Sequence, residues 1–258
     1  MTRAAVYGSH TWRNWKHDHH WSSTGDPLGA GNTALIGALG GRSAVLAFYD
    51  TRVGVTPSGA TITAWNDVSG VGTYGPAMAL SGTAPGWDST NLLITCNANT
   101  GFLQTATSSL FDLSTAKTLV VVGTAAVASG AALVDINDGS SARGMLITPA
   151  NTTAFWAEWF PGSTLKSSTV TNSSRRIVFA ALSGTTGFVE APTVAQQTTT
   201  ITAGASGSNH LRVLPLNSAN TNTAISVRAV LVLAGLYTTA QRDTLKNWAT
   251  TYHSAVLA

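Results

Sequence analysis

Charge is what this chain has least of. Charged residues make up 10% of its 258 positions, where a soluble globular domain carries about 25%. Its surface must therefore be covered by Ser, Thr, Asn and Gly, residues that suit strands and turns better than helices. The formal charge of +3 is the small difference between 14 basic and 11 acidic residues, and the longest basic run is Arg175-Arg176. A nucleic-acid footprint needs basic residues gathered on one face, so nucleic acid is not an expected partner. Cysteine is nearly absent too. Cys96 stands alone, which excludes an intrachain disulfide, and it reads as a small buried hydrophobe.

Long apolar runs are also scarce. Residues 118–136 come closest to the length of a spanning helix. Their first half is β-branched, Ser129-Gly130 breaks the middle and Asp135 ends them, so they read as two buried strands joined by a turn. No membrane insertion is expected. The first thirty residues hold Arg3, Arg13, Lys16, Asp18 and four His without an apolar core, so no secretory signal is expected either.

Two regions differ in composition. Residues 1–43 contain Trp12, Trp15 and Trp21, four of the six His, and a Gly/Ala-rich run ending at Gly40-Gly41. No strand alternation or helical period lasts there, so the segment is read as an arm whose aromatics find their burial elsewhere. Residues 44–258 show short apolar or alternating runs between turn signals, among them Ala44–Asp50, Ala60–Trp65, Asn91–Thr95, Leu119–Ala125, Ala132–Ile136, Gly144–Thr148, Thr153–Glu158, Ile177–Leu182, Gly187–Glu190, His210–Leu214 and Ala224–Leu236. Many short strands with regular turns predict an all-β sandwich. One helix is expected at the C-terminus. Thr238 and Gln241 have capping-box spacing, and Leu245, Trp248, Ala249 and Tyr252 form one apolar stripe. That stripe makes Trp248 a packing residue and leaves Arg242, Lys246 and Asn247 to water.

The order of motifs carries a resemblance. Phe48-Tyr49-Asp50 is followed by Trp65-Asn66-Asp67-Val68-Ser69-Gly70-Val71-Gly72, then by many strands, Leu211-Arg212-Val213, a long strand to Leu236, and Leu236-Tyr237-Thr238-Thr239-Ala240-Gln241-Arg242. After the first forty residues, the chain resembles the concanavalin A-like, laminin-G-like jelly-roll domains found in phage structural proteins and bacterial secreted proteins. The resemblance implies a two-sheet antiparallel jelly roll with a short C-terminal helix, preceded by an extended arm. Within the turn motif, Trp65 is expected to plug one end of the sandwich, and Asp67 and Ser69 to hydrogen-bond their own turn. Gly70 and Gly72 are expected to supply positive φ. These five residues read as a structural motif, with calcium at Asp67 the minor alternative. Leu214 departs from the pattern, standing where a glycine often follows the late Leu-Arg-Val strand.

Glucanases on this fold set paired carboxylates along one strand. This chain has two Glu, Glu158 and Glu190, and neither lies in such a pattern. Asp135-Ile136-Asn137-Asp138 reads as a turn. No G-x-S-x-G elbow is present, so the chain is not expected to be an enzyme. Lys16-His17-Asp18-His19-His20, with His10 upstream, matches no standard zinc spacing, so no metal and no cofactor is expected.

What remains is recognition. The resemblance implies a virion surface protein, such as a phage spike, fibre or capsid decoration. On that reading Trp12, Trp15, Trp21, His17, His19 and His20 form the assembly arm toward other virion proteins, and the chain forms a homo-oligomer. The alternative is a carbohydrate-binding module of a bacterial surface or secreted protein, extracellular rather than on a virion. In the aromatic strand Phe155–Phe160, alternation places Trp156, Glu158 and Phe160 on one face as candidate sugar contacts, with surface glycans as the partner.

Overall fold

The computed structural model describes residues 29, 31–70, 75–95, 101–125, 132–138, 144–151, 154–160, 163–166, 175–191, 194–201, 207–214 and 225–255. Trp12, Trp15, Trp21, His17, His19, His20, Gly72 and Cys96 lie outside the described residues, as do the side chains of Trp156, Glu158 and Phe160. Among the described residues no helix is long and apolar enough to cross a membrane.

The elements in chain order are helix α1 (Asn32–Ala38), then β1 (Val45–Asp50), β2 (Val55–Ser58), β3 (Thr61–Trp65), β4 (Met78–Gly82), β5 (Gly86–Asp88), β6 (Leu93–Thr95) and β7 (Gly101–Thr105). After a short 3-10 turn come β8 (Lys117–Ala125), β9 (Val134–Asn137), β10 (Gly144–Asn151), β11 (Ala154–Phe160) and β12 (Ser163–Lys166). The chain continues through β13 (Arg176–Ser183), β14 (Thr186–Ala191), β15 (Val194–Thr200), β16 (His210–Val213) and β17 (Ile225–Ala234) to helix α2 (Thr239–His253). Every ladder is antiparallel. A back sheet runs β1-β17-β8-β13-β14-β15. A front sheet runs β2-β3-β4-β7-β16-β9-β10-β11-β12. The pair β5-β6 joins the two sheets at one end, through β3 and β17.

Alternation in the central strands builds two cores. In β17, Val227, Val230 and Val232 face the front sheet, while Ala229, Leu231 and Leu233 face the helices. The inter-sheet core also holds Tyr49, Trp65, Met78, Leu103, Phe111, Val121 and Val178. Trp65 is wholly buried there, its Nε1 donates to the Asp50 carbonyl at 3.1 Å, and its ring lies 5.6 Å from that of Tyr49. The second core lies on the other side of the back sheet, where Phe48, Val120, Ile177 and Phe179 meet Leu245, Trp248 and Ala249 of α2. The result is three layers, with helices over one sheet only among the described residues.

Residues 31–43, grouped with the arm on composition, fold onto this second core. Leu35, Ile36 and Leu39 are buried in it. Seven residues are too few to show a helical period, so α1 is recognisable only by what it packs against. Gly31 caps it with φ 81°, and a Cβ there would lie 2.3 Å from the Tyr252 ring. Asn32 then donates to Asp50 Oδ2 at 2.8 Å and accepts from Trp248 Nε1 at 3.0 Å, tying β1 to both helices.

In α2 the capping box forms as the spacing predicts. The face expected to meet water is partly engaged instead. Lys246 Nζ donates to Glu190 Oε1 at 2.8 Å and the Tyr237 hydroxyl donates to Oε2 at 2.8 Å, anchoring the helix to β14. Tyr252 is exposed, and His253 takes the buried place at the end of the stripe.

The turn after β3 is organised by Asp67. Its Oδ1 accepts from Phe48 N at 2.6 Å and from Ser69 N at 3.3 Å, and its Oδ2 accepts from Ser69 Oγ at 2.5 Å. Both carboxylate oxygens thus serve backbone and hydroxyl donors of the fold. Burial pushes the carboxyl up to about 7 against these bonds. Gly70 does not adopt positive φ, contrary to expectation. Its place is set by close approach, because a Cβ there would lie 2.8 Å from Arg42 Nε. Leu214 does adopt left-handed backbone, φ 55°, with its side chain buried in the inter-sheet core. The conformation a glycine would take at no cost is here held by a leucine, and burial of its side chain offsets a strain of about 1–2 kcal/mol.

Candidate functional site

The front sheet presents an outer face that no described helix covers, and its polar residues follow from strand register. One row runs across it as Gln104–Arg212–Asp135–Leu146–Glu158. The neighbouring row runs His210–Asn137–Gly144–Phe160, and Trp156 pairs with Thr148. Positions 156, 158 and 160 are therefore in register with the polar rows, whereas Ala157, between them, lies in the inter-sheet core. Asp135 to Asn137 belong to β9 and not to a turn. The acidic spacing that reads as a turn is a strand entering a hairpin, whose next ladder pair is Asn137 with Gly144.

Arg212 and Asp135 form the centre of this face. Arg212 Nε donates to Asp135 Oδ1 at 2.7 Å, and Nη2 donates to Oδ2. The guanidinium also stands over the Phe102 ring, 5.7 Å from its centroid. Burial works against the Arg212 charge, yet the hydrogen bonds and charge of Asp135 outweigh it and raise the guanidinium above its usual value. Burial is the larger influence on Asp135 and lifts its carboxyl, with Arg212 pulling the other way. His210 Nδ1 lies 2.8 Å from the Thr105 carbonyl, which can only accept, so this nitrogen carries the proton. The ring is thereby held in one orientation. Thr105 Oγ1 accepts from Leu211 N at 3.0 Å and fixes the same strand pair.

The arrangement is a rigid, mixed surface. It holds an aromatic ring, a carboxylate–guanidinium pair, an oriented imidazole and the amide of Gln104. Such groups hydrogen-bond hydroxyls and stack on the C–H faces of small polar ligands. Both Asp135 oxygens accept from Arg212, so the carboxylate holds the guanidinium in one position. Alternation in the aromatic strand located β11. Arg212, Asp135, His210 and Phe102 are not recognisable in the sequence as one site, because only register brings their three strands into line.

No family model matches the chain, and no curated protein matches it. Solved structures do share its fold. Trypanosoma rangeli sialidase in complex with 2,3-difluorosialic acid aligns with a TM-score of 0.59 at 10% identity, covering 81% of this chain and 33% of the sialidase. A botulinum neurotoxin type C structure, whose subject is cell entry through two ganglioside molecules, aligns at 0.56 with 8% identity, covering 80% of this chain and 51% of that one. The binding domain of botulinum neurotoxin DC in complex with SialylT aligns at 0.55 with 9% identity, over the same shares. The chain thus spans about a third of the sialidase chain and about half of each toxin chain. What is shared at these identities is the fold, an antiparallel β-sandwich.

Proposed function

We propose that this protein is a non-catalytic carbohydrate-binding sandwich, and that the outer face of the front sheet is its glycan surface. The observation that carries this reading is the Arg212–Asp135 pair beside Phe102 and His210, on the sheet that the described helices leave open. The back sheet's outer face is filled by α1 and α2 and serves packing. Similar folds appear in proteins whose structures concern gangliosides and sialylated ligands, which favours surface glycans as the ligand class. Arg212 engages both Asp135 oxygens, which favours a binding role for this carboxylate over the free acid or base that glycoside cleavage needs. A glycan-array screen with the full chain tests the reading, followed by incubation of each hit and analysis for cleavage. Retention of intact glycans supports it, and turnover of a hit overturns it.

The wider setting we propose is a virion surface, with the Trp- and His-rich segment before α1 docking onto other virion proteins in a homo-oligomer. Trp12, Trp15 and Trp21 favour it, because three indoles in one short segment call for burial against a partner. The alternative setting is a bacterial cell-surface or secreted protein. Solution masses of the full chain and of residues 29–258 decide: a defined oligomer that becomes a monomer on truncation supports an assembly arm, and equal monomers contradict it.

A further inference from the structure

Among the described residues, the buried side-chain nitrogens without a hydrogen-bond partner are Arg175 Nε, Arg228 Nε and both ring nitrogens of His253. All of them lie at one corner of the molecule, away from the front-sheet face. Arg175 stands just before β13 and donates through Nη1 to the His253 carbonyl at the end of α2. Arg228 occupies the β-bulge of β17, the residue skipped between Val227 and Ala229 in the ladder with β8. It is 9% exposed.

The described acids of this corner, Asp50 and Asp88, are already engaged. Asp50 accepts from Arg52 and from Asn32, and its Oδ1 lies 3.4 Å from His253 Nε2. Asp88 accepts from the backbone of Thr90 and Asn91 and from the Asn91 side chain. Among the described residues Arg228 therefore has no bonded acceptor, and burial, with Arg175 repelling it, lowers it to about 10. Its proximity also helps hold His253 neutral, after burial as the main cause. The α2 carbonyl end adds partial negative charge, which Arg175 Nη1 already meets.

A buried guanidinium without an acceptor is among the costlier arrangements a fold can hold. Two neighbouring forks of N–H donors are what a carboxylate, sulfate or phosphate group binds best. We propose that Arg175 and Arg228 form a site for one small oxyanion, bound where β13, the β17 bulge and the end of α2 meet. The site is independent of the glycan reading. Its occupant cancels the excess charge and cross-links three segments, so binding stabilises the fold.

The test follows the arginine Nε–Hε resonances of the full chain by NMR during titration with sodium phosphate, sulfate or acetate at constant ionic strength, with chloride as reference. The expected result is a saturable shift of the Arg175 and Arg228 signals and a rise in Tm. Saturation by phosphate or sulfate alone identifies an inorganic tetrahedral ion, whereas saturation by acetate identifies a carboxylate ligand such as an acidic sugar. Arg228→Met weakens the affinity by about ten-fold or more. Arg228→Lys, which keeps the charge and loses the fork, also weakens it and serves if the Met variant does not fold. Arg242→Met, at the other end of α2, leaves it unchanged. Absence of a saturable shift with all three anions, or a shift that both Arg228 variants retain in full, overturns the proposal.

Discussion

Arg212 on β16 and Asp135 on β9 stand opposite each other across one ladder, joined by two parallel hydrogen bonds from guanidinium to carboxylate. The pair is mostly shielded from water, at 20% and 7% side-chain exposure, so it is not an ordinary surface ion pair. It holds the centre of the front sheet in one geometry, and the rows on either side inherit that geometry through strand register.

Breaking the pair from one side strands a buried charge. Arg212→Ala is expected to cost about 3–5 kcal/mol, because Asp135 then keeps its desolvation without its partner. Replacing both, as Arg212→Met with Asp135→Leu, is expected to recover most of that loss while abolishing glycan binding. Urea unfolding of the single and double variants checks this, and equal losses in both would show that the pair is not coupled.

The Asp67 turn makes stability depend on pH. Its carboxyl sits at about 7 in the fold, against an ordinary value of 3.8, with burial as the main cause. Between these values the native state holds a proton that the unfolded chain has released, so stability falls as pH rises through this window. Asp67→Asn is expected to flatten that fall. His253 acts in the opposite sense. Burial lowers it below 6.5, so the unfolded chain takes up its proton first and stability drops as pH falls below that value. Comparing the two proteins at each pH from 4 to 8, by urea midpoint, cancels the His253 contribution; parallel curves would exclude Asp67 as a source.

Helix α1 belongs to the sandwich. Removing residues 1–43 uncovers the second core and discards Leu35, Ile36 and Leu39, a loss on the order of 5 kcal/mol from the apolar side chains alone. It also leaves Trp248 Nε1 without Asn32. Guanidinium melts of this truncation should therefore show a much lower midpoint than those of residues 29–258. Matching midpoints would mean that α1 is an appendage.

The capping box predicts a smaller effect. Thr238→Ala removes the acceptor for Gln241 N, 3.2 Å away, and is expected to cost about 1 kcal/mol. Thermal unfolding resolves a change of that size.

Strands with a clear apolar face were legible in the sequence, and so was α2, because period 2 and period 3.6 both survive in their residues. The less apolar strands were not. β15 shows Gln196-Gln197-Thr198-Thr199-Thr200 with side chains alternately exposed and half-buried, β2 contains Pro57, and β5 is three residues long. Such segments become strands because a neighbour pairs with them, which no local pattern records. The candidate site divides along the same line. The aromatic strand announced itself through alternation, whereas Arg212, Asp135, His210 and Phe102 come from three strands far apart in sequence and meet only through register. The resemblance to jelly-roll domains supplied the order of motifs. It also marked position 214 as unusual, and Leu214 is where a left-handed backbone is found.

The most direct test of the glycan surface is the affinity of the best array glycan for the full chain and for three variants, His210→Ala, Phe102→Ala and Trp156→Ala, by calorimetry. Saturable binding is expected, weakened about ten-fold or more in each variant, a loss typical of one stacking or hydrogen-bonding contact, with Tm changed little for His210→Ala. Binding that survives all three substitutions undiminished would contradict this expectation and move the glycan site off the front sheet.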